Sequence, residues 1–478
     1  MNARLGLLAF ASGFGAFSAG AAEPGAWSDW AAVTVDRGWY RPPIVRTEAS
    51  EGKLAVDPGK GDQVMLGFGT AVSELSWQAL SILSEADRAA VLDEIFRPEG
   101  AAFTVIRTPI GSSDFAFGYY SYDDEPGDFA MKRFSLEIDE RALLPLLREI
   151  KARVPADDFR LWASPWCPPK WLKRNGRYSQ RPNPFHGFPN DCPDWKDAVY
   201  IGEDAFSCDP AHYAAYATYF RKYVDAMRAK GFPLWMVMPQ NEPNSAQPYP
   251  ACTWTSSTLA DFTVNYLAPA LEGSGVEIFA GTIEECSMTR IHPYFATEKG
   301  RKAVTGAGFQ WAGCGIIGCV HARYPGLFLM QTEHECNAGK NDWDEFVHSW
   351  NVARGFIGQG ASAYDYWNLA LTDEATSTWG WKQNSLVTVD RATKTARFNP
   401  EYYLMKAFSH YVKKGARRLV TSGDFGELAF ANADGSTVVM FLNERDEARA
   451  IDVEISGRTY RAVLPPRSLA VFVESLVL

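Results

Sequence analysis

Glu242 is the carboxylate this sequence places best for acid–base work. It follows five apolar residues, Leu234 to Met238, which carry no helical period and come after a Gly231-Phe232-Pro233 turn. Such a run reads as a short strand buried on both faces, as in a parallel sheet. Pro239 stops the run, and Asn241, Glu242 and Pro243 follow. A carboxylate at the carboxyl end of a buried strand sits where parallel α/β folds keep their chemistry, and a following proline biases it towards extended backbone. Alone, Asn-Glu-Pro also describes a strand-ending turn with a solvated glutamate, so Glu242 needs a partner. Glu284 and Glu333 also follow short apolar runs, and spacing alone does not choose between them. If those strands are the fourth, fifth and seventh of a barrel, the fourth and seventh lie nearly opposite across its mouth, so Glu242 and Glu333 can face each other over a substrate. Two carboxylates about 5–5.5 Å apart, one ionised and one protonated, are what a retaining glycosidase needs as nucleophile and acid/base. Asn241, beside Glu242, is then placed to hold a sugar 2-hydroxyl.

The elements that must position these residues alternate regularly. Strand candidates are 63–68, 103–106, 159–163, 234–238, 276–280, 309–312, 327–331 and 361–367. Helical periodicity lies between them at 76–95, 137–154, 211–230, 258–271 and 342–357. Eight strands, most followed by a helix, suit a (β/α)8 TIM barrel over 63–410. A doubly wound open sheet competes, but no Gly-rich phosphate loop follows any strand. After about residue 410 the texture changes to short runs at 427–431, 437–443, 450–455, 460–464 and 468–473, separated by turns such as Ala433-Asp434-Gly435-Ser436. These read as an all-β sandwich over 411–478, completed by strands from 28–62.

A chain of 478 residues has room for one large domain and a smaller one. Aromatic residues make up 14%, with 16 Trp, a composition that suits sugar stacking. The net charge of −10, with no basic run, argues against nucleic acid as a partner. Arg4, the apolar stretch Leu5 to Phe17 and the small residues Ala19-Gly20-Ala21 predict a signal peptide over 1–22 and an exported protein. No other stretch is long and apolar enough to suggest a membrane span. The eight cysteines fit an oxidising compartment, and Cys192 with Cys208, or Cys314 with Cys319, are close enough in sequence to pair, although sequence does not fix connectivity. No segment clusters Cys and His tightly enough for a zinc site, and no metal or cofactor is expected.

Five ordered motifs resemble glycoside hydrolase family 30, the glucosylceramidase family. They are Gly67-Phe68-Gly69, Arg107 to Phe115, Ala163-Ser164-Pro165-Trp166 with Trp171-Leu172-Lys173, Gln240-Asn241-Glu242-Pro243, and Trp367 to Leu371. The resemblance covers about 60–478 and includes the small sandwich. It implies a retaining β-glycosidase with Glu242 as acid/base and Glu333 as nucleophile. It further implies that Arg107 sits beside the nucleophile, that Asp114 and Trp166 hold the outer sugar hydroxyls, and that Trp367 forms the floor. Glu284 is left without a catalytic role. In Thr332-Glu333-His334-Glu335 the family's Ser/Thr-Glu pattern selects Glu333, with Glu335 in reserve, because strand alternation points both to the same side. Two departures stand out. Gln310-Trp311-Ala312 replaces His-Trp-Tyr, so Gln310 and Trp311 are substrate-binding candidates that weaken the case for ceramide; Thr70 replaces a glycine. The implied substrate is a β-glucosidic bond of the glucosylceramidase or β-1,6-glucanase kind. Related alternatives are a β-xylosidase, a β-fucosidase, an endo-xylanase, or a non-catalytic carbohydrate-binding protein on the same fold. The long loop from 174 to 210 is expected to wall the cleft.

Overall fold

Eight short parallel strands close into a barrel: Gly67–Ala71, Val105–Pro109, Arg160–Ser164, Met236–Val237, Glu277–Ile283, Gly306–Gln310, Phe328–Glu333 and Ala363–Asn368. They are called barrel strands one to eight. The computed structural model describes residues 26–42 and 49–475, so the expected signal peptide at 1–22 lies outside the described residues. Strand four shows why these runs become barrel strands. Met236 and Met238 point into the barrel and join Val105, Trp162, Phe279 and Met330 in an interior core. Val237 points outward into the larger core under the helices. Both faces are buried, so the run is apolar throughout.

Each expected strand is present, with shifted ends. Gln63 and Val64 belong to the long strand Lys53–Val64 of the other domain, and barrel strand one starts at Gly67. The helix expected over 76–95 is two helices, Glu74–Leu80 and Glu85–Phe96. The break is set by Ser84, whose hydroxyl accepts from the Asp87 amide at 3.1 Å and caps the second helix. The helix Pro210–Ala229 keeps its length and buries Tyr213, Tyr216, Tyr219, Phe220 and Tyr223 against the barrel.

The second domain is a nine-stranded sheet in which Asp29–Thr34, Gly38–Tyr40 and Lys53–Val64 join the strands that follow Arg417. Leu54, Val439, Phe441, Ile451, Val453, Ala462 and Phe472, from both halves of this sheet, share one core, so the sheet folds over itself as a sandwich. A small three-stranded sheet, Ala370–Thr372, Val387–Asp390 and Thr395–Phe398, caps the barrel after strand eight and went unread in the sequence. All eight cysteines are free thiols. Cys314 and Cys319 lie on one helix, Cys314–Arg323, where five residues of separation turn the two side chains to different sides. Among the described residues no helix is long and apolar enough to cross a membrane.

Candidate active site

The carboxyl ends of the barrel strands converge on a single buried cation. Arg107, on strand two, has no exposed surface. Its Nη1 donates to Glu333 Oε2 at 2.7 Å and to the Thr332 carbonyl at 3.1 Å, and its Nη2 donates to Asn241 Oδ1 at 2.6 Å and to Ser164 Oγ at 3.1 Å. One guanidinium thereby fixes the ends of strands three, four and seven. The rings of Trp166 and Trp367 stack on each other at 5.2 Å, and the guanidinium lies over both, 4.4 and 5.3 Å from their centroids. This aromatic shell keeps water from the cation and strengthens its pull on Glu333.

Glu242 has different company. Gln310 Nε2 donates to its Oε1 at 2.9 Å. The Gln310 amide is held the right way round because Thr332 Oγ1 donates to its Oε1 at 2.8 Å. Glu242 has φ +47°, in the left-handed region, and not the extended backbone that Pro243 alone would favour. Its amide is tied to Thr282 Oγ1 at 3.1 Å, and the Asn241 amide to the Pro165 carbonyl at 2.7 Å, so neighbouring strands impose the turn that aims the carboxyl inward. Asn241 Oδ1 accepts from Arg107, from Thr282 Oγ1 at 3.0 Å and from Gln310 at 3.5 Å. With the oxygen so occupied, the Asn241 Nδ2 is the end left for a ligand, and among the described residues it makes no hydrogen bond.

Burial dominates the electrostatics. Desolvation pushes Glu333 up to about 7, the Arg107 cation pulling it down and the Glu242 charge pushing it up. Glu242 is also raised by burial, with the Gln310 hydrogen bond as the largest opposing effect. Arginine keeps its proton, so the carboxylate in contact with it is the one stabilised as an anion. Glu242 has only neutral donors in contact, so no adjacent cation favours its anion. Asp114 is raised well above its ordinary value by burial and then by the Glu333 and Glu242 charges. Its Oδ1, like Trp367 Nε1, is buried without a partner. Leaving such an atom unsatisfied costs about 1–3 kcal/mol, so both atoms call for a ligand.

The nine site candidates of the sequence lie at this mouth: Arg107, Asp114, Trp166, Asn241, Glu242, Gln310, Trp311, Glu333 and Trp367. Gln310 is fully buried between Glu242, Asn241 and Thr332. It is therefore a positioning residue, where the sequence suggested substrate contact. Trp311 has φ +50° and turns its indole towards Glu242, with Nε1 still unpaired. Glu335 lies beyond strand seven, 3.2 Å from His348 Nε2 and outside the Arg107 network. Strand seven ends at Glu333, so Glu335 falls beyond the stretch in which alternation would make the two glutamates equivalent. Sequence reasoning gave no role to Ser164, Thr282 and Thr332, hydroxyls at strand ends, although Ser164 and Thr332 stand inside its motifs. It also missed Asp365, a barrel-interior carboxyl bonded to Trp162 Nε1 at 2.7 Å, and Tyr249, whose phenol senses the Glu242, Asp114 and Glu333 charges. Among the described residues no group of three or more His, Cys, Asp or Glu is placed to hold a metal ion.

The long loop after strand three folds back over the exit of strand four. The Gln180 amide donates to the Gln247 carbonyl at 2.9 Å, and Arg181 Nε to the Ala246 carbonyl at 2.9 Å. Asn183 Nδ2 reaches the Trp379 carbonyl at 3.1 Å, beyond strand eight.

Two family models match the chain: the glycosyl hydrolase family 30 TIM-barrel domain over residues 65–280, and the family 30 beta sandwich domain over residues 415–472. The lysosomal acid glucosylceramidase of Mus musculus is 26% identical over 424 residues, covering 82% of this chain and 78% of the relative. The endo-1,6-beta-D-glucanase of Neurospora crassa is 27% identical over 427 residues, covering 85% and 82%. Among solved structures, SrfJ from Salmonella typhimurium superposes with a TM-score of 0.79 at 23% identity, covering 93% of this chain and 98% of that one. The endo-beta1,6-glucanase BT3312 superposes with a TM-score of 0.76 at 24% identity, covering 93% and 99%. The chain belongs to glycosyl hydrolase family 30, a retaining family of glycoside hydrolases.

Proposed function

We propose that this protein hydrolyses β-glucosidic bonds by double displacement, with Glu333 as nucleophile and Glu242 as acid/base. The observation that carries the reading is the unequal company of two buried carboxyls in one network. Glu333 is paired with Arg107 at 2.7 Å, whereas Glu242 is held by a neutral amide at 2.9 Å. In the first step Glu242 gives its proton to the glycosidic oxygen while Glu333 attacks the anomeric carbon, so the C–O bond to the leaving group breaks as the bond to Glu333 forms. In the second, the Glu242 carboxylate takes a proton from water, whose oxygen attacks the anomeric carbon and releases Glu333. Asn241 Nδ2 is available to the 2-hydroxyl, and Asp114 to an outer hydroxyl that a xyloside presents differently or lacks. The names of the relatives, glucosylceramidase and endo-1,6-beta-D-glucanase, support a glucosyl substrate. Arg4 and the apolar stretch Leu5 to Phe17 support export before the enzyme acts.

A panel of aryl β-glucoside, xyloside, fucoside and galactoside, with the product anomer followed by NMR, tests this. The glucoside is expected to be cleaved best and to release the β-anomer first. Glu242→Gln is expected to lose turnover while still binding the glucoside. Release of the α-anomer first, or an unchanged rate in Glu242→Gln, refutes the scheme.

A further inference from the structure

Inside the barrel, short of the strand ends, lies a carboxyl that the mechanism above does not use. Asp365 stands in the middle of strand eight and is fully buried. Its Oδ2 accepts from Trp162 Nε1 at 2.7 Å, and its Oδ1 has no partner. A Cβ on Gly69 would meet Oδ1 at 2.8 Å, so the carboxyl packs directly on the backbone of strand one. The Asp365 carbonyl accepts from the amide of His334 at 3.0 Å, one residue past Glu333.

Trp162 meets this carboxyl with its edge and the catalytic cation with its ring. It is the register partner of Arg107 on the neighbouring strand, and the guanidinium lies over the indole, 4.9 Å from the centroid. Of the three indoles around Arg107, Trp166 and Trp367 join the larger core, and Trp162 alone belongs to the barrel interior. The four hydrogen bonds of Arg107 all leave from its two Nη atoms, while its Nε is unpaired. Such bonds fix the far end of the guanidinium within its own plane. A ring face is what resists rocking out of that plane.

One cation cannot neutralise two carboxyls. Arg107 is in contact with Glu333, and burying a second carboxylate on a single hydrogen bond is strongly unfavourable, so Asp365 keeps its proton. Burial accordingly pushes Asp365 up to about 8.

We propose that Asp365 is a positioning residue for the nucleophile: its carboxyl holds the Trp162 indole, and the indole holds the Arg107 guanidinium square to Glu333. This rests on the β-glucosidase reading above, with Glu333 as nucleophile, and adds how its cation is kept in line. Asn at this position still accepts from the indole and is neutral, like the protonated acid. Leu has the same outline and cannot accept.

The test follows the pH dependence of kcat/KM on an aryl β-glucoside, with thermal melts alongside to show that each variant is folded. In Asp365→Leu the indole N–H is unanswered, the ring tilts and Arg107 loosens from Glu333. There kcat/KM is expected to fall on the order of tenfold and the acid limb to move to higher pH. Asp365→Asn, which restores the acceptor, is expected to bring the limb back to its wild-type position. Trp162→Phe keeps a ring without the N–H and should move the limb in the same direction as Asp365→Leu, deciding the matter if that variant does not fold. In an Arg107→Met background Asp365→Leu should move the limb no further, because its effect passes through the cation. A limb unmoved in folded Asp365→Leu or Trp162→Phe overturns the proposal and leaves Asp365 a packing residue. A limb moved to lower pH in Asp365→Asn overturns it as well, since Asp365 would then be an anion competing with Glu333 for Arg107. A wild type that cleaves no β-glucoside refutes the proposed function itself, and this inference falls with it.

Discussion

Arg107 is the residue on which the ionisation of the site turns. It lies buried among Glu333, Asp365 and Asp114, each of which stabilises its charge. Replacing it with a neutral side chain of similar length removes the cation that lowers the Glu333 pKa. In the proposed mechanism the rate needs Glu333 ionised, so its pKa sets the acid limb of the kcat/KM profile, and raising that pKa moves the limb to higher pH. Arg107→Met is expected to lower kcat/KM on an aryl β-glucoside on the order of 10²–10³-fold and to shift the acid limb upward. The loss of stability should be smaller than for an ordinary broken buried pair, because Glu333 can take up a proton. An acid limb that stays in place counts against Arg107 as the ionising partner. Much at this scale was legible: the Asn-Glu-Pro and Thr-Glu sequences stand at strand ends, and the arginine lies in the second motif. The illegible parts were the hydroxyls of Thr282 and Thr332. Their work depends on which strands become neighbours, and even the Thr-Glu pattern that contains Thr332 does not say what its hydroxyl will bond.

Among the elements, barrel strand one explains why its motif is glycine-rich. A Cβ on Gly69 would lie 1.5 Å from the Val105 carbonyl oxygen on strand two, a clash with backbone that no rotamer relieves. Gly69→Ala is therefore expected to lower the melting temperature on the order of 10 °C or to abolish soluble expression. Thr70, which stands where the family pattern has glycine, is fully buried without such a clash, and Thr70→Gly should fold. Comparing thermal melts of the two variants checks the contrast, and near-wild-type melting of Gly69→Ala would disprove it. The strands were readable because burial on both faces leaves an apolar run. Helix breaks and strand ends were harder. Ser84 starts a second helix with a single hydroxyl after the first has ended at Leu80, and register shifts at the carboxyl ends of strands five, seven and eight disturb alternation just where the site is built. The three-stranded cap was missed because its strands are only three or four residues long and pair only with one another.

For the molecule as a whole, the buried carboxyls set the dependence of stability on pH. Burial pushes Asp365, Glu284 and Glu401 up to about 8 and Glu333 up to about 7. A raised folded-state pKa means that the native state holds protons the unfolded chain has released, so stability falls as pH rises from about 4 through about 8. Below about pH 4 the surface carboxylates held low by partners, such as Asp62, Asp93 and Asp390, reverse the trend. The melting temperature is expected to peak near pH 4–5 and to decline towards pH 8. Glu401 lies outside the catalytic mouth, fully buried, with Oε1 accepting from Asn384 Nδ2 at 2.9 Å and Oε2 unpaired. Glu401→Gln removes its titration and should flatten that decline, raising the melting temperature at pH 8 relative to wild type. A parallel decline in both proteins would show that Glu401 does not contribute to it. The sandwich carries a different consequence. Asp29–Thr34 pairs with Ser468–Glu474, so a strand made before the whole barrel has its partner made after it. Until Ser468–Glu474 has been made, that strand is paired only with Gly38–Tyr40 and keeps one open edge, so the second domain cannot close in the order it is made. Final closure of this sheet therefore waits for Ser468–Glu474, and a chain cut short before Ser468 leaves two edges, on Asp29–Thr34 and Thr437–Asn443, with nothing to join them.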